Sequence, residues 1–290
     1  RSSFGGRPSQ GLRIIAIDEG NNTFTQVRSP IKRALRSLRE LANNMPFGPQ
    51  VDLLSLGLDS LDLEKQFSGL ELCFLVSSLG ELQHAEDLPR LIQALENQGT
   101  KTIALVSLPE EWESTNTISK AEDCLKRILA TQASVIAVPI DEIASPGEDL
   151  PWEDHLKEVV NYFSTAFEAL LRASLWVEGA SAITETDIYS VLRPGRQGSL
   201  SVSQRFDTEQ EDRIRNLVHE SCDRLIRHHA DISTANQILA ILSGYRSFTR
   251  SEVRTLISEL KSVCGEETEI LFGTSHLAIG PRGLCLTLIV

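Results

Sequence analysis

The residues best placed to do chemistry are polar side chains that follow two apolar, strand-like runs. Asp18 and Glu19 follow the run Leu12–Ile17. The segment Ser77–His84 begins at the last residue of the run Leu70–Ser77. Loops at the carboxyl ends of parallel strands often hold phosphates, and several glycines are needed there to let the backbone approach the ligand. Each of these loops has a single glycine, and carboxylates such as Glu81 would repel a phosphate. The two loops therefore predict that no nucleotide is bound.

Metal and nucleophile chemistry is not indicated either. The six histidines show no metal-ligand spacing with cysteines or acids, and no G-x-S-x-G or Cys–His signature is present. The adjacent His228 and His229 are interpreted as the end of a helix, near its negative pole. The five cysteines are scattered without a C-x-x-C pair, so we interpret them as reduced and mostly buried, in a reducing compartment. We predict no catalytic residue, no metal and no cofactor.

The first half of the chain, which must position these loops, alternates apolar strand-like runs with amphipathic helices. Continuous apolar strands in such an alternation predict a parallel sheet covered on both faces. The expected elements are strands at Leu12–Ile17, Val51–Leu56, Leu70–Ser77, Thr102–Leu108 and Val135–Pro139, and helices at Ala85–Asn97 and Ile118–Thr131.

One more helix is expected to open at Ser29-Pro30, because serine can cap a helix and proline fits its first turn. Lys32, Arg36 and Arg39 share one face of this helix and form a basic patch on an acidic chain. Two interpretations stay open: the patch is a solvated helix face, or it is a docking surface for an acidic partner.

The segment Glu153–Trp176 divides the chain. Its apolar residues, including Phe163 and Phe167, recur at the spacing of one helix face, and Pro151 and Gly179 bracket it. A helix of this length would run roughly 35 Å, the width of a small domain. Two interpretations stay open here as well: a central helix on which both halves pack, or an ordinary buried helix of one domain.

The second half is expected to end in strand, helix, strand, strand. Thr184 or Thr186 is a possible cap of a short helix, and Thr249 and Glu252 are spaced as a capping box. The expected elements are helices at Ile183–Leu192, Glu209–His229 and Phe248–Ser262, a turn at Arg193–Gly198, and strands at Gln237–Ser243, Glu269–Thr274 and Leu284–Val290.

Composition bounds the class of protein. The 290 residues are 41% hydrophobic and 23% charged, as expected for a globular chain of one large or two medium domains. A net charge of −12 argues against a general nucleic-acid or anionic-membrane binder, and no apolar run is long enough for a membrane span. The chain begins without Met and stops inside an apolar run, so we expect it to be part of something longer.

The second half resembles the bacterial cell-division GTPase FtsZ, of the tubulin superfamily. Residues 232–244, ISTANQILAILSG, are similar to the family's strand I-x-G-A-x-G-x-L-x-x-I-S-G, and residues 248–253, FTRSEV, resemble its L-T-L-F-E-V helix start. Residues 270–274, ILFGT, are close to I-I-F-G-T, and the last strand resembles R-V-T-V-I-A. In the first half, residues 101–109, KTIALVSLP, look like the strand that ends in V-T-x-P.

The resemblance covers roughly residues 11–290 and implies an α/β, FtsZ/tubulin-like fold. That fold has a parallel Rossmann-like sheet domain, a long central helix and a smaller α+β C-terminal domain. The expected division is a disordered lead-in at 1–10, a degenerate nucleotide-binding domain at 11–152, the central helix at 153–176 and the C-terminal domain at 177–290.

The chain departs from the family where the nucleotide would bind. The phosphate loop, G-M-G-G-G-T-G-T-G, lines up with Ser78–Glu86, where Ser78, Gly80 and Glu81 stand and only the glycine matches. The position on the central helix that reads guanine falls near Val160, whose side chain cannot hydrogen-bond a base. The resemblance thus carries the fold over but not the cofactor, so no GTP is expected.

The family's catalytic loop, N-x-D-x-x-D-V, is also incomplete. Only its second acid is present, as Asp187, whereas Thr184 stands at the first acid and Ala182 at the Asn. Thr184 and Asp187 are therefore interpreted as vestigial, and the resemblance implies a protein without GTPase activity.

These departures suggest a regulator that binds FtsZ and controls the assembly or placement of its ring, with self-association possible. The resemblance is to the FtsZ-like regulators of chloroplast division, which implies the chloroplast stroma at the division site, or the bacterial cytoplasm. A divergent self-polymerising GTPase and a tubulin-scaffold adaptor for unrelated partners stay open. Trp112 is either an exposed contact anchor or a core-edge residue. The candidate partner-binding residues are Asp187, Ile188, Lys32, Arg36, Arg39 and Trp112.

Overall fold

The structure is a computed structural model that describes residues 13–18, 50–55, 72–79, 87–143, 151–174, 183–206, 212–228, 230–245, 247–276 and 283–290. Several residues named from the sequence lie outside these ranges. They include Glu19, the expected helix start at Ser29-Pro30 with Lys32, Arg36 and Arg39, and Gly80, Glu81, Trp176, Gly179, Ala182 and His229.

The strands of the first half are parallel, as predicted, but in the described residues they form two sheets rather than one, and the short strand β6 from the second half completes the larger sheet. Strand β1 pairs with β2, and a four-stranded sheet has the order β3-β4-β5-β6. The elements are β1 (Arg13–Asp18), β2 (Gln50–Ser55), β3 (Leu72–Ser78), α1 (Asp87–Asn97), β4 (Lys101–Leu108), α2 (Thr115–Leu129), β5 (Ser134–Pro139) and β6 (Gln197–Gly198). Because β6 pairs with β5, the predicted turn at Arg193–Gly198 is wrong in its last two residues.

The four-stranded sheet is covered on both faces, which explains its continuous apolar strands. In β4, Ala104 and Val106 belong to a cluster with residues of α1 and α2. Ile103 and Leu105, which point to the other face, belong to a cluster with the long helix that follows β5. A strand buried on two faces needs apolar side chains at consecutive positions rather than at alternate ones.

The long helix, α3 (Trp152–Ser174), begins one residue before its predicted start. Val159, Phe163 and Leu170 recur along one of its faces and are buried in a single cluster. That cluster also contains Ile136 of the parallel sheet and Ile241 of the C-terminal sheet. The helix therefore contributes to a core shared by both halves of the chain.

The second half forms a mixed sheet with the order β7-β10-β8-β9. Strand β10 runs antiparallel to β7 and β8, and β8 runs parallel to β9. The elements are α4 (Glu185–Val191), β7 (Leu200–Arg205), α5 (Arg213–Arg227), β8 (Gln237–Gly244), α6 (Arg250–Cys264), β9 (Glu269–His276) and β10 (Leu284–Ile289). The predicted order of strand, helix, strand, strand is confirmed.

Capping side chains decide where two of the helices, α6 and α2, begin. The capping box at the start of α6 is present, since Thr249 Oγ1 accepts from Glu252 N at 3.2 Å and Glu252 Oε2 accepts from Thr249 N at 2.8 Å. Helix α5 begins at Arg213, four residues after its predicted start. Helix α2 begins earlier than predicted, because Ser114 caps it through a hydrogen bond from Thr117 N at 3.1 Å.

Hydrogen bonds join the two halves beyond the shared core. Ser134 Oγ at the start of β5 donates to Leu192 O just after α4, at 2.6 Å. Tyr162 Oη on α3 donates to Leu200 O at the start of β7, at 2.7 Å. Because α4 ends against the first residue of β5, it lies at the amino-end edge of the parallel sheet.

Candidate functional site

The edge of the parallel sheet where its strands end is the place to look for a ligand site, and we call it the carboxyl edge. In the described part of the chain it is formed by the ends of β3 and β4, by Asp141 after β5, and by the first turn of α3. Ser78 is the last residue of β3 and Leu79 after it is buried, whereas residues 80–86 of the segment aligned with the phosphate loop lie outside the described residues.

A buried carboxylate organises this edge. Glu110, two residues after β4, is only 8% exposed. Its Oε2 accepts a hydrogen bond from Trp112 Nε1 at 2.7 Å, and its Oε1 lies 3.7 Å from His155 Nε2 on α3. Together with Trp152, these residues form what we call the aromatic–acid cluster: Glu110, Trp112, Trp152 and His155.

Two further carboxylates are fixed to the same loop through the backbone. Glu113 Oε1 accepts from Glu110 N at 3.0 Å, and Asp141 Oδ2 accepts from Glu111 N at 2.9 Å. The loop after β4 is thus built around acids, so the carboxyl edge would repel a phosphate.

The two tryptophans of the cluster are exposed and in contact. The ring centroids of Trp112 and Trp152 lie 5.7 Å apart at an interplanar angle of 75°, and Trp152 lies 5.6 Å from the His155 ring. Trp112 is 69% exposed and Trp152 is 51% exposed. Of the two interpretations of Trp112, the structure supports the exposed loop residue.

Burial controls the protonation of Glu110. Its pKa is raised chiefly by burial, and this rise is opposed by the hydrogen bond from Trp112 and by nearby His155. The neighbouring charges of Asp141 and Glu113 raise the pKa of Glu110 further. The folded protein therefore holds this proton at pH values where the unfolded chain has released it.

We expect the Glu110→Gln variant to show a flatter dependence of stability on pH than the parent chain. Because the pKa of Glu110 is raised on folding, the contribution of Glu110 to the free energy of unfolding falls as the pH rises from about 4.5 through the folded pKa. Glutamine cannot ionise but keeps an acceptor for Trp112, so it removes this loss. Urea unfolding across the acid-to-neutral range measures the effect.

The matched control is Glu122→Gln on the exposed side of α2, which should retain the parent's pH dependence. An unchanged profile for Glu110→Gln would contradict the assignment of this titration to Glu110.

Val160, near which the resemblance places the reading of a guanine base, is apolar and engaged in packing. Val160 is half-buried against the cluster that surrounds α3. Its side chain offers neither a donor nor an acceptor, as the sequence predicted. In the described part of the chain, no group of three or more histidine, cysteine or acidic side chains could hold a metal ion.

Asp187, which the resemblance aligns with a catalytic-loop acid, has a local structural role. Asp187 Oδ2 accepts from Thr184 N and from Thr184 Oγ1, both at 2.7 Å, and Thr184 Oγ1 accepts from Asp187 N at 3.2 Å. The two residues form a capping box at the start of α4. The Asp187 carboxylate is thus engaged with the helix cap, a role the sequence showed only as a possible Thr184 cap.

Ile188 cannot serve as a partner contact while α4 is folded. Its side chain is fully buried in the core cluster shared by the two sheets. This removes Ile188 from the partner-binding candidates, whereas Thr184 and Thr186 on the same helix start are exposed.

Most of the aromatic–acid cluster could not be predicted from the sequence. Trp112 was a candidate contact residue, but Glu110 and His155 are 45 residues apart and share no motif. The five cysteines are free thiols, and burial raises the pKa of Cys222 and Cys285 to about 12, so these two are protonated near neutral pH. Within the described ranges, no helix has the length and apolar character that a membrane crossing needs.

Sequence comparison finds distant relatives among cell-division proteins. No family model matches the chain. It is 22% identical over 272 residues to cell division protein FtsZ 1 of Thermococcus kodakarensis, covering 91% of this chain and 69% of that protein. It is 24% identical over 278 residues to FtsZ 1 of Archaeoglobus fulgidus, covering 91% and 70%. For FtsZ 1 of Halobacterium salinarum, 23% identical over 221 residues, it spans only 53% of the relative's length.

Structural comparison gives the fold. A point mutant of FtsZ from M. jannaschii superposes with a TM-score of 0.75 at 14% identity, covering 97% of this chain and 90% of that one. An empty FtsZ dimer from M. jannaschii gives 0.72 at 15%, covering 96% and 87%. A GTPγS-bound protofilament of CetZ2 from Haloferax volcanii gives 0.63 at 16%, covering 96% and 92%. The α/β, FtsZ/tubulin-like fold expected from the sequence is confirmed.

Proposed function

We propose that this chain, which has the fold of the tubulin/FtsZ superfamily and distant homology to archaeal FtsZ, is a non-catalytic FtsZ-like protein. In this proposal it binds FtsZ and regulates the assembly or placement of the FtsZ ring. It works in the chloroplast stroma at the division site or in the bacterial cytoplasm.

The observation that carries the proposal is the chemistry of the carboxyl edge. There the loop after β4 is organised by the buried carboxylate of Glu110, with Glu113 and Asp141 bonded to the same loop. A nucleoside triphosphate brings several negative charges, which carboxylates at this edge disfavour. The apolar Val160 and the engagement of Asp187 in a helix cap support the same conclusion.

The two ends of the parallel sheet are therefore unequal in what they can offer a partner. In the family, one subunit's catalytic loop lies over the nucleotide of the next subunit, and the solved relatives include a dimer and a protofilament. Here the carboxyl edge is poorly suited to nucleotide, whereas the helix start at α4 keeps an ordered, exposed turn. The proposal is a one-sided cap. The α4 end docks on a GTP-loaded FtsZ subunit, and the carboxyl edge does not bind a further FtsZ subunit in a way that lets the filament grow.

A sedimentation experiment tests the proposal. FtsZ of Thermococcus kodakarensis is assembled with GTP, and the chain is added in substoichiometric amounts. A cap should reduce the pelleted FtsZ and shorten the filaments, because each chain blocks one end. The chain alone with GTP should stay in the supernatant. Pelleting of the chain alone would instead support a self-polymerising GTPase, and no effect on FtsZ would support an adaptor for other partners.

A further inference from the structure

The exposed tryptophans stand apart from the other surface apolar residues. In the described part of the chain, five large apolar side chains are exposed: Trp112, Trp152, Phe206, Ile226 and Tyr245. Single exposed apolar residues are ordinary on protein surfaces, whereas contiguous ones mark interaction sites. Trp112 and Trp152 form a ring contact with one another, at 5.7 Å between centroids.

Both indole rings are held in place by contacts with less exposed side chains. Trp112 is fixed by the hydrogen bond from its Nε1 to the buried Glu110 carboxylate, at 2.7 Å. Trp152 is fixed by its tilted contact with the His155 ring, at 5.6 Å and 31°. Side chains that are already ordered lose little further entropy when a ligand binds, so this pair is preorganised.

The charge around the pair is negative. Glu111 and Glu113 flank Trp112 in the chain, and Asp141 is bonded to the backbone of Glu111 at 2.9 Å. Glu153 follows Trp152 and is exposed. The nearby Lys157 is neutralised by Asp154, with 2.6 Å between Nζ and Oδ1. A ligand for this surface should therefore be a cation with a face that can stack on an indole.

We propose that the Trp112–Trp152 pair and the carboxylates beside it form a docking site for an arginine side chain of a protein partner. Tryptophan is the best cation–π acceptor among the side chains. The guanidinium group is planar, weakly hydrated and able to bond carboxylates in pairs, which suits it to this site better than the compact lysine ammonium. The site lies at the carboxyl edge, away from α4, so it does not depend on the proposed cap.

Calorimetric titration of the full chain with a short peptide of alternating alanine and arginine tests the site. The matched ligands are the same peptide with citrulline, which is neutral but nearly the same shape, and with lysine. The arginine peptide should bind at least about tenfold more tightly than the citrulline peptide, and more tightly than the lysine peptide. Two of the three tryptophans lie in the site, so intrinsic fluorescence should change along the same isotherm.

Variants separate the aromatic and charge contributions. Trp152→Ala, and separately Glu111→Gln combined with Glu153→Gln, should each weaken arginine-peptide binding severalfold while the melting temperature stays close to the parent's. Tyr245→Ala removes an aromatic side chain of similar exposure, at 64%, and should leave binding unchanged.

Three outcomes would overturn the proposal. Equal binding of the citrulline and arginine peptides would show a neutral stacking surface. Tighter binding of guanosine than of the arginine peptide would show a nucleobase platform. No saturable binding of the arginine peptide would show that the pair is not a docking site. None of these outcomes bears on FtsZ sedimentation, so the proposed function and this site can fail separately.

Discussion

The Phe163→Ala variant is expected to lose about 3–5 kcal/mol of unfolding free energy, the usual cost of removing a buried phenylalanine ring. Phe163 is 1% exposed and lies in the cluster shared by the parallel and C-terminal sheets. It also contacts the Tyr162 ring, with 6.1 Å between centroids. A cavity there removes packing from both halves of the chain at once. The loss is a large share of the roughly 5–15 kcal/mol typical of a folded domain.

Urea unfolding followed by circular dichroism measures this loss. Phe163→Leu, which keeps part of the buried volume, should lose less than Phe163→Ala. Glu158→Ala, at an exposed position of the same helix, should change the midpoint little. Phe167→Ala should also lower the melting temperature by several degrees, because Phe167 contacts the Phe74 ring of β3 at 5.6 Å. An unchanged midpoint for Phe163→Ala would mean that this face of α3 is not buried.

The Thr186→Arg variant is expected to weaken FtsZ binding at least about tenfold if α4 is the docking face, because a misplaced charge at an interface can cost several kcal/mol. Thr186 is exposed in the first turn of α4. Its replacement leaves the Thr184–Asp187 capping box in place. Asp187→Arg is a poorer probe, because it also removes the cap, which costs about 1 kcal/mol of helix stability.

Ser251→Arg is the matched control, because Ser251 occupies the same exposed position between Thr249 and Glu252 in the capping box of α6. Binding is measured by co-sedimentation with FtsZ filaments. If Thr186→Arg leaves FtsZ binding intact while charge reversal of Lys32 and Arg36 abolishes it, the partner binds the basic patch and the cap model is wrong.

Elements with a local or repeating signal could be predicted from the sequence. The strand at Lys101–Leu108 was visible because two covered faces require consecutive apolar residues. The α6 capping box was visible because both partners lie within four residues. Helix α3 was visible because its apolar period persists over six turns without an interruption.

Other features depend on what packs against them and could not be predicted in this way. Strand β7 was missed because Ser201 and Ser203 alternate with Leu200 and Val202, yet the serines are buried as completely as the apolar residues. Helix α5 packs against β7, so the second face of this strand is not exposed to water. A serine can be buried or exposed to water, so the residue type alone does not show that a helix packs on that face of the strand.

The candidate site likewise has features that can be predicted from local sequence and features that depend on the fold. The single glycine in each loop and the apolar Val160 can be read residue by residue. The contact of Glu110 with His155 and the ring contact of Trp112 with Trp152 join segments about 40 residues apart. Only the fold brings them together, because the ends of parallel strands and the start of α3 meet at one edge.

Calorimetric titration with GTP and with GDP, in the presence of Mg²⁺, shows whether this FtsZ-like fold binds a nucleotide. CetZ2 of Haloferax volcanii, whose protofilament structure carries GTPγS, is the positive control. No saturable heat is expected for this chain with either nucleotide under conditions where CetZ2 binds GTP. A dissociation constant in the micromolar range for either nucleotide would contradict this expectation.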